Sequence, residues 1–226
     1  MKKSVSDHAL AIVKAGISVV PICGGPLASL IGDYVPTATQ RSIERAMELL
    51  GERLASLGDR LDIESVKKDE FSELFKSCYL SIVRTHQEEK LRAATSLIAN
   101  MLLKNGDPDK LSYRELDHYA RCVDSLSIGA IDVLAKTYSM LDRKRSQTGR
   151  PNVRWDQLIQ ERFSVQILSR QTGFSPDLVM GLLSELNALY LVHLLDRPGE
   201  RTPDFGVQLT DLGVKFVVHL LQAGAE

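Results

Sequence analysis

The sequence has little net charge and few aromatic residues. In a chain of 226 residues, 28 Lys and Arg nearly balance 29 Asp and Glu, which gives a formal charge of -1. A chain this close to neutral has no global field that attracts nucleic acid or an anionic membrane, so any such contact must be local. Aromatic residues at 6% supply few platforms on which single-stranded bases could stack.

Cysteine is also scarce. Cys23, Cys78 and Cys122 are odd in number and far apart, which favours reduced thiols over a disulfide framework. The N-terminus starts with two lysines and becomes apolar, as secretory signals do, but Asp7 and Lys14 interrupt it. We therefore expect a cytoplasmic protein.

No apolar run is long enough to predict a membrane-spanning helix. The least polar stretch, residues 8–32, is broken by Lys14, Pro21 and the sequence Gly24-Gly25-Pro26, whereas a spanning helix needs about 20 apolar residues. The stretch predicts two short helices joined by a turn and packed in a core. Alternatives are a hairpin that enters a membrane on a trigger, an interfacial helix and an oligomer contact.

The most specific catalytic motifs are missing. The sequence contains no P-loop, GxGxxG, GxSxG or HExxH. Ser65 and Lys68 have the spacing of a serine–lysine nucleophile, but its partner motifs are absent. We expect no enzyme, no catalytic residue and no cofactor.

One pattern resembles part of a metal site. Glu115, His118 and Cys122 share a helix face and could offer three ligands, but a di-metal bundle needs a second Glu-x-x-His pair. The simpler interpretation is a helix cap, a half-buried histidine and a core cysteine. We predict no metal site.

Helical periodicity runs from residue 37 to about 142, so the fold class is mainly α. Thr85 with Glu88 and Ser112 with Glu115 have the spacing of capping boxes. Asn105-Gly106 is a typical left-handed helix stop. Short connections predict an N-terminal antiparallel helical bundle. Its helices are expected near 38–57, 69–84, 86–104, 113–125 and 128–142.

The sequence RKRSQTGRPN, residues 143–152, is charged, polar and interrupted by Gly and Pro. This composition is typical of an exposed linker. We therefore predict three parts: a helical bundle over 1–142 that includes the segment 8–32, a basic linker over 143–152, and a C-terminal domain over 153–226.

The C-terminal domain has a recognisable order of elements. A short helix is expected over RWDQLIQERF, followed by LSRQTGFS, in which Gly173 makes a turn and Ser175 caps the next helix. A strand, a Pro-Gly turn, a second strand and LTDLG before a closing helix complete it. Residues 154–221 resemble a winged-helix domain with a small β-wing. Tyr190 departs from the family, which commonly has Gly where the second helix of the motif ends.

The resemblance implies that this second helix enters the major groove of DNA, but it carries no cation. The positions expected to face away from the core are Asp177, Met180, Gly181, Ser184 and Glu185. Residues 176–211 hold six acids against Arg197 and Arg201, a balance of -4 that repels duplex DNA. We predict a helix that binds protein or packs on the helical domain, with Leu178, Met180 and Leu182 as apolar contacts.

Residues 143–170 have the opposite charge, with seven bases against two acids. Such a run is most often a solvated face, and the alternative is an arm that binds phosphates. The candidate phosphate contacts of the arm and wing are Arg143, Lys144, Arg145, Arg150, Arg154, Arg197 and Arg201.

Three functions follow from these patterns. The favoured one is a non-enzymatic adaptor that uses a winged-helix module to bind protein or a second copy of itself. The alternatives are a DNA-binding regulator that contacts phosphates through residues 143–170 and the wing, and a membrane effector that deploys residues 8–32. The whole chain also loosely resembles bacterial helical proteins whose start is of the type GGPLASLIGDYVP, which implies a role in stress or phage defence.

Overall fold

The helices and strands are seen in a computed structural model that describes residues 37–62, 64–65, 68–147, 161–195 and 206–222. The predicted apolar segment 8–32 and the predicted Pro-Gly turn lie outside these ranges, as does most of the helix predicted over RWDQLIQERF. The chain divides into two compact units. Among the described residues, one unit, the helical unit, comprises 37–124 with Gln222, and the other, the mixed unit, comprises 125–221.

The described part of the helical unit contains four helices. They are α1 (Thr37–Leu57), α2 (Asp69–Arg84), α3 (Glu88–Met101) and α4 (Tyr113–Ser125), and a 3-10 turn, Gly58–Arg60, follows α1. The predicted helices over these residues are confirmed to within three residues at either end. α1 and α2 each pack against α3 and against one another.

Helix α3 lies at the centre of this unit. Leu91 and all residues from Ala93 to Met101 are buried. Four of them are small (Ala93, Ala94, Ser96 and Ala99), which allows neighbouring helices to approach it closely. The helix starts beside an ion-pair cluster in which Glu88 accepts from Arg45 at 2.7 and 3.1 Å.

Only one of the two predicted capping boxes forms. The Ser112 backbone N–H donates to the Glu115 carboxylate at 2.9 Å, and the Glu115 N–H donates to Ser112 Oγ at 3.3 Å. The box predicted at Thr85 and Glu88 is wrong, because Glu88 is engaged by Arg45 and Thr85 Oγ1 accepts from the Gln87 N–H instead. Long-range pairing has displaced the local cap.

The end predicted for α3 is also corrected. Gly106 has the expected left-handed conformation, with φ 88°, but the helix stops earlier, at Met101. Leu103 forms an isolated antiparallel bridge with Leu61. The Lys104 N–H also donates to the Arg60 carbonyl at 2.9 Å. These backbone bonds pair residues 103 and 104 with the segment that follows α1, just after the helix ends.

The mixed unit contains the remaining elements. They are α5 (Ile128–Gln147), β1 (Phe163–Ser164), α6 (Val165–Thr172), α7 (Pro176–Ala188), β2 (Val192–Leu195), β3 (Gly206–Leu209), α8 (Asp211–Phe216) and a π-helical turn, Val217–Leu221. β3 lies between β1 and β2 and is antiparallel to both. The molecule is therefore mainly helical with one small antiparallel sheet. No helix among the described residues is long and apolar enough to cross a membrane.

Helix α5 differs from its predicted assignment. The sequence predicts a helix of the N-terminal bundle that ends at residue 142. In the structure the helix continues to Gln147 and packs on α6, α7 and the π-helical turn of the mixed unit. Residues 143–147 are thus helix rather than linker. Phe163, predicted to end a short helix, pairs with Val207 in the sheet instead.

The sequence LTDLG has a structural explanation. Thr210 caps α8, since its Oγ1 accepts from the Gly213 N–H at 2.9 Å, and its one hydrogen is shared between the carbonyls of Tyr190 at 2.7 Å and Leu191 at 3.0 Å. Gly213 is buried. A Cβ atom added to it would lie 2.0 Å from the carbonyl oxygen of Leu191. Only glycine fits where α8 meets the chain leaving α7.

Candidate protein-binding surface

Helix α7 starts with well-formed local signals. Ser175 is its N-cap and accepts from the Leu178 N–H at 3.3 Å, with Pro176 in the first turn. Asp177 adds a negative charge at the positive end of the helix dipole. The turn before it uses Gly173, which has φ 76°. The predicted turn and cap are confirmed.

The three predicted contact residues on α7 differ in exposure. Leu178 is 49% exposed and Met180 is half-buried. Leu182 is only 8% exposed and packs over Gly129 at the start of α5. As a contact for another protein, Leu182 was wrongly predicted, because it packs in the core between α7 and α5. The alternative expectation was that α7 packs on the predicted bundle, and α5 is the helix that the sequence assigned to that bundle.

Glu185 also makes its hydrogen bonds within the mixed unit. Its carboxylate accepts from the backbone N–H of Ser127 and from Ser127 Oγ, the latter at 2.8 Å. Ser127 precedes α5, so Glu185 satisfies a donor at the start of that helix. Glu185, predicted to face outward, is a half-buried cap, and Asp177 is the exposed acid of α7.

Two exposed apolar residues were not predicted as contacts. Ile167 on α6 is 42% exposed and Tyr190, just after α7, is 67% exposed. Tyr190 has φ 57°, and it is the only non-glycine residue with positive φ in the described parts of the chain. Thr210 Oγ1 donates to its carbonyl at 2.7 Å and holds this conformation. The sequence feature that pointed to Tyr190 was its presence at a position where the winged-helix pattern commonly has Gly.

The predicted phosphate contacts are only partly described. Arg143 and Lys144 are exposed and Arg145 is half-buried, all in the last turns of α5. Lys144 Nζ donates to Glu161 at 2.6 Å and lies 5.2 Å from the centre of the Phe163 ring. Arg150, Arg154, Arg197 and Arg201 lie outside the described residues. Lys144 is therefore engaged within the protein.

The Glu115, His118 and Cys122 pattern has the geometry of structural residues. Glu115 caps α4, and His118 Nε2 lies 3.5 Å from the buried Cys122 Sγ. Burial raises the pKa of the Cys122 and Cys78 thiols to about 12. A protonated buried thiol is a poor nucleophile and a poor metal ligand. No group of three metal-ligating residues occurs in the parts of the chain that the structure describes.

Comparisons with protein-family models, with curated proteins and with solved structures found no match.

Proposed function

We propose that this protein is a non-enzymatic adaptor whose C-terminal part is a winged-helix module that binds another protein. The order of α6, the turn at Gly173, α7, the antiparallel pair β2–β3 and α8 supports the winged-helix assignment. The helices α1 to α4 are compatible with the proposed N-terminal bundle.

Exposure of large apolar side chains carries the proposal. Among the described residues four large hydrophobic side chains are exposed, and three of them, Ile167, Leu178 and Tyr190, fall within 24 positions of the mixed unit. Exposed aliphatic and aromatic side chains that form one patch are typical of protein interfaces, and we infer that these three side chains belong to such a patch. We define these three residues as the apolar contact set.

The conformation of Tyr190 strengthens this interpretation. A non-glycine residue in the left-handed region costs about 1 kcal/mol, and an exposed aromatic ring returns little packing energy within the chain. Glycine would remove the strain with the loss of only the minor part of the tyrosine that the chain covers. A tyrosine kept at such a position is explained if its ring packs on a partner, because strained residues held by their surroundings concentrate at functional sites.

Charge argues against base reading by α7. The helix has no Lys or Arg, and Asp177 occupies its first turn. Base edges in the major groove are read mainly by Arg, Lys, Asn and Gln. The only such residue in α7, Asn187, accepts from the Leu194 N–H with its side-chain oxygen. A protein partner fits this helix better than a duplex.

Site-specific photo-crosslinking tests the proposal. A benzoylphenylalanine placed at Tyr190 or at Leu178 should crosslink one protein species in cells, and the same group at Leu80, which is 40% exposed on the helical unit, should not. Leu178→Asp should abolish the adduct at position 190. Equal crosslinking from all three positions, or none from 178 and 190, would contradict a specific interface.

A duplex-binding assay separates the regulator alternative. We expect no mobility shift of a random duplex at moderate salt. A shift that disappears when Arg143, Lys144 and Arg145 are changed to Ala would replace the adaptor proposal with backbone binding to DNA.

A further inference from the structure

The helical unit contains an open cavity of about 560 Å³. It is formed where the start of α2, the end of α3, the turn around Gly106 and the start of α4 meet. Sites for small organic molecules commonly have this volume. The cavity is lined by Ser65, Lys68, Glu70, Phe71, Leu74, Met101, Asn105, Gly106, Asp107, Lys110, Leu111, Ser112, Tyr113, Glu115 and Leu116.

One part of the lining is apolar. Phe71 and Leu74 come from α2, Met101 from α3, and Leu111 and Leu116 flank the start of α4, and all five are buried. Their surface favours the apolar body of a ligand.

Two lysines line the same cavity. Lys68 Nζ donates to the buried Ser65 Oγ at 3.3 Å. Lys110 Nζ donates to the backbone carbonyl of Leu103. Burial, and next the charge of Lys68, lower the pKa of Lys110. Each ammonium carries three donors, which leaves N–H groups for a ligand.

Two of the three carboxylates that line the cavity are hydrogen-bonded to other residues of the protein. Asp107 accepts from Arg60 at 2.8 and 2.6 Å, and this pairing lowers the pKa of Asp107 to about 2. Glu115 accepts from Ser112 at 2.9 and 2.7 Å. Glu70 is exposed. Because Asp107 is neutralised by Arg60, the two lysines face Glu70 and Glu115, and this balance leaves no excess of cations that could hold a polyphosphate.

The geometry of Ser65 does not provide an activated nucleophile. Its hydroxyl donates to Asp62 Oδ2 at 2.8 Å, and this bond lowers the pKa of the Asp62 carboxyl. A carboxylate of lowered pKa is a weak base. The serine–lysine spacing seen in the sequence therefore places Lys68 at the cavity wall and does not build a catalytic pair.

We propose that this cavity binds a small organic monoanion with an apolar body, held by charge-assisted hydrogen bonds from Lys68 and Lys110. The apolar part lies on the surface formed by Phe71, Leu74 and Leu116. This ligand site is separate from the apolar contact set in the mixed unit and uses none of its residues.

Fluorescence of anilinonaphthalenesulfonate, an aromatic monoanion, provides the test. The probe should bind saturably and be displaced by benzoate at least tenfold more effectively than by benzamide, which has the same ring without the charge. Lys68→Met should weaken probe binding about tenfold, as expected for loss of a charge-assisted bond. Lys76→Met removes an exposed lysine of α2 outside the cavity lining and should change binding less than twofold.

Two controls show whether a change in probe binding arises at the cavity. Lys68→Met leaves the bond from Lys110 to Leu103 intact, and circular dichroism with a urea midpoint shows whether the fold is unchanged. Leu178→Asp is a control for probe molecules that bind to the apolar contact set of the mixed unit. This variant should not change the affinity of the protein for the probe. The proposal is overturned if the folded Lys68→Met variant binds as the wild type does, or if benzamide displaces the probe as well as benzoate.

Discussion

The backbone of Gly213 lies against the carbonyl oxygen of Leu191, so closely that a Cβ atom at this position would be 2.0 Å from that oxygen. The contact joins the start of α8 to the residue before β2. Because the obstacle is backbone rather than a flexible side chain, neither partner can move aside without displacing an element of the unit.

Gly213→Ala should therefore destabilise the mixed unit by about 3 kcal/mol or more, through overpacking in the core. Gly181→Ala is the matched control, since Gly181 is exposed in α7 and no heavy atom lies within 4 Å of its added Cβ. That variant should gain up to about 1 kcal/mol from helix propensity. Urea denaturation followed by circular dichroism measures both, and similar midpoints would disprove the close contact.

Leu182 and Leu178 should respond differently to truncation. Leu182→Ala removes a buried side chain that packs on Gly129 and should cost about 2 to 4 kcal/mol. Leu178→Ala should change the free energy of unfolding by less than about 0.5 kcal/mol, while it weakens partner crosslinking. A large loss of stability in Leu178→Ala would show that this residue is core as well.

Two substitutions of Tyr190 separate the cost of its left-handed backbone from the contribution of its ring to partner binding. Tyr190→Gly removes both the ring and the left-handed strain, whereas Tyr190→Ala removes only the ring. We expect the glycine variant to be about 1 kcal/mol more stable than the alanine variant in thermal or urea unfolding. Both should lose crosslinking from position 178. Unchanged crosslinking in both would remove Tyr190 from the interface.

The buried thiols predict a specific pH dependence. Because the pKa values of Cys78 and Cys122 are raised in the folded state to about 12, the thiols stabilise the fold fully below the unfolded-state pKa of about 8.5. This stability is lost as the pH rises from there to about 12, by up to about 1.4 kcal/mol per thiol and pH unit.

Ellman's reagent checks the protection of these thiols directly. In a Cys23→Ser background the native protein should show no reactive thiol at pH 8, and two should appear in denaturant. Rapid reaction of the native protein would show that at least one thiol is accessible or ionised.

Local signals in the sequence predicted the structure well. Ser112 with Glu115, Ser175 with Leu178 and the left-handed Gly173 all act within a few residues of themselves, and each forms as expected. The helix periods before residue 125 were sufficient to place α1 to α4.

Long-range partners explain what the sequence did not predict. Glu185 accepts a hydrogen bond from Ser127, which is 58 residues away in the sequence. Arg45, 43 residues from Glu88, pairs with the Glu88 carboxylate that was predicted to cap its own helix. Helical periodicity marks a face as apolar but does not show which neighbour covers it, so the sequence left open whether Leu182 contacts another protein or the helical domain. The same limit hid the cavity, whose two lysines stand 42 residues apart in the sequence.

The burial of α3 constrains how this protein can change over evolutionary time. From Ala93 to Met101 the helix has no side that meets water, so a larger residue there must displace α1, α2 or another neighbour, with no solvent into which it can turn. Substitutions should accumulate on the outer helices and leave this segment almost invariant in length and volume.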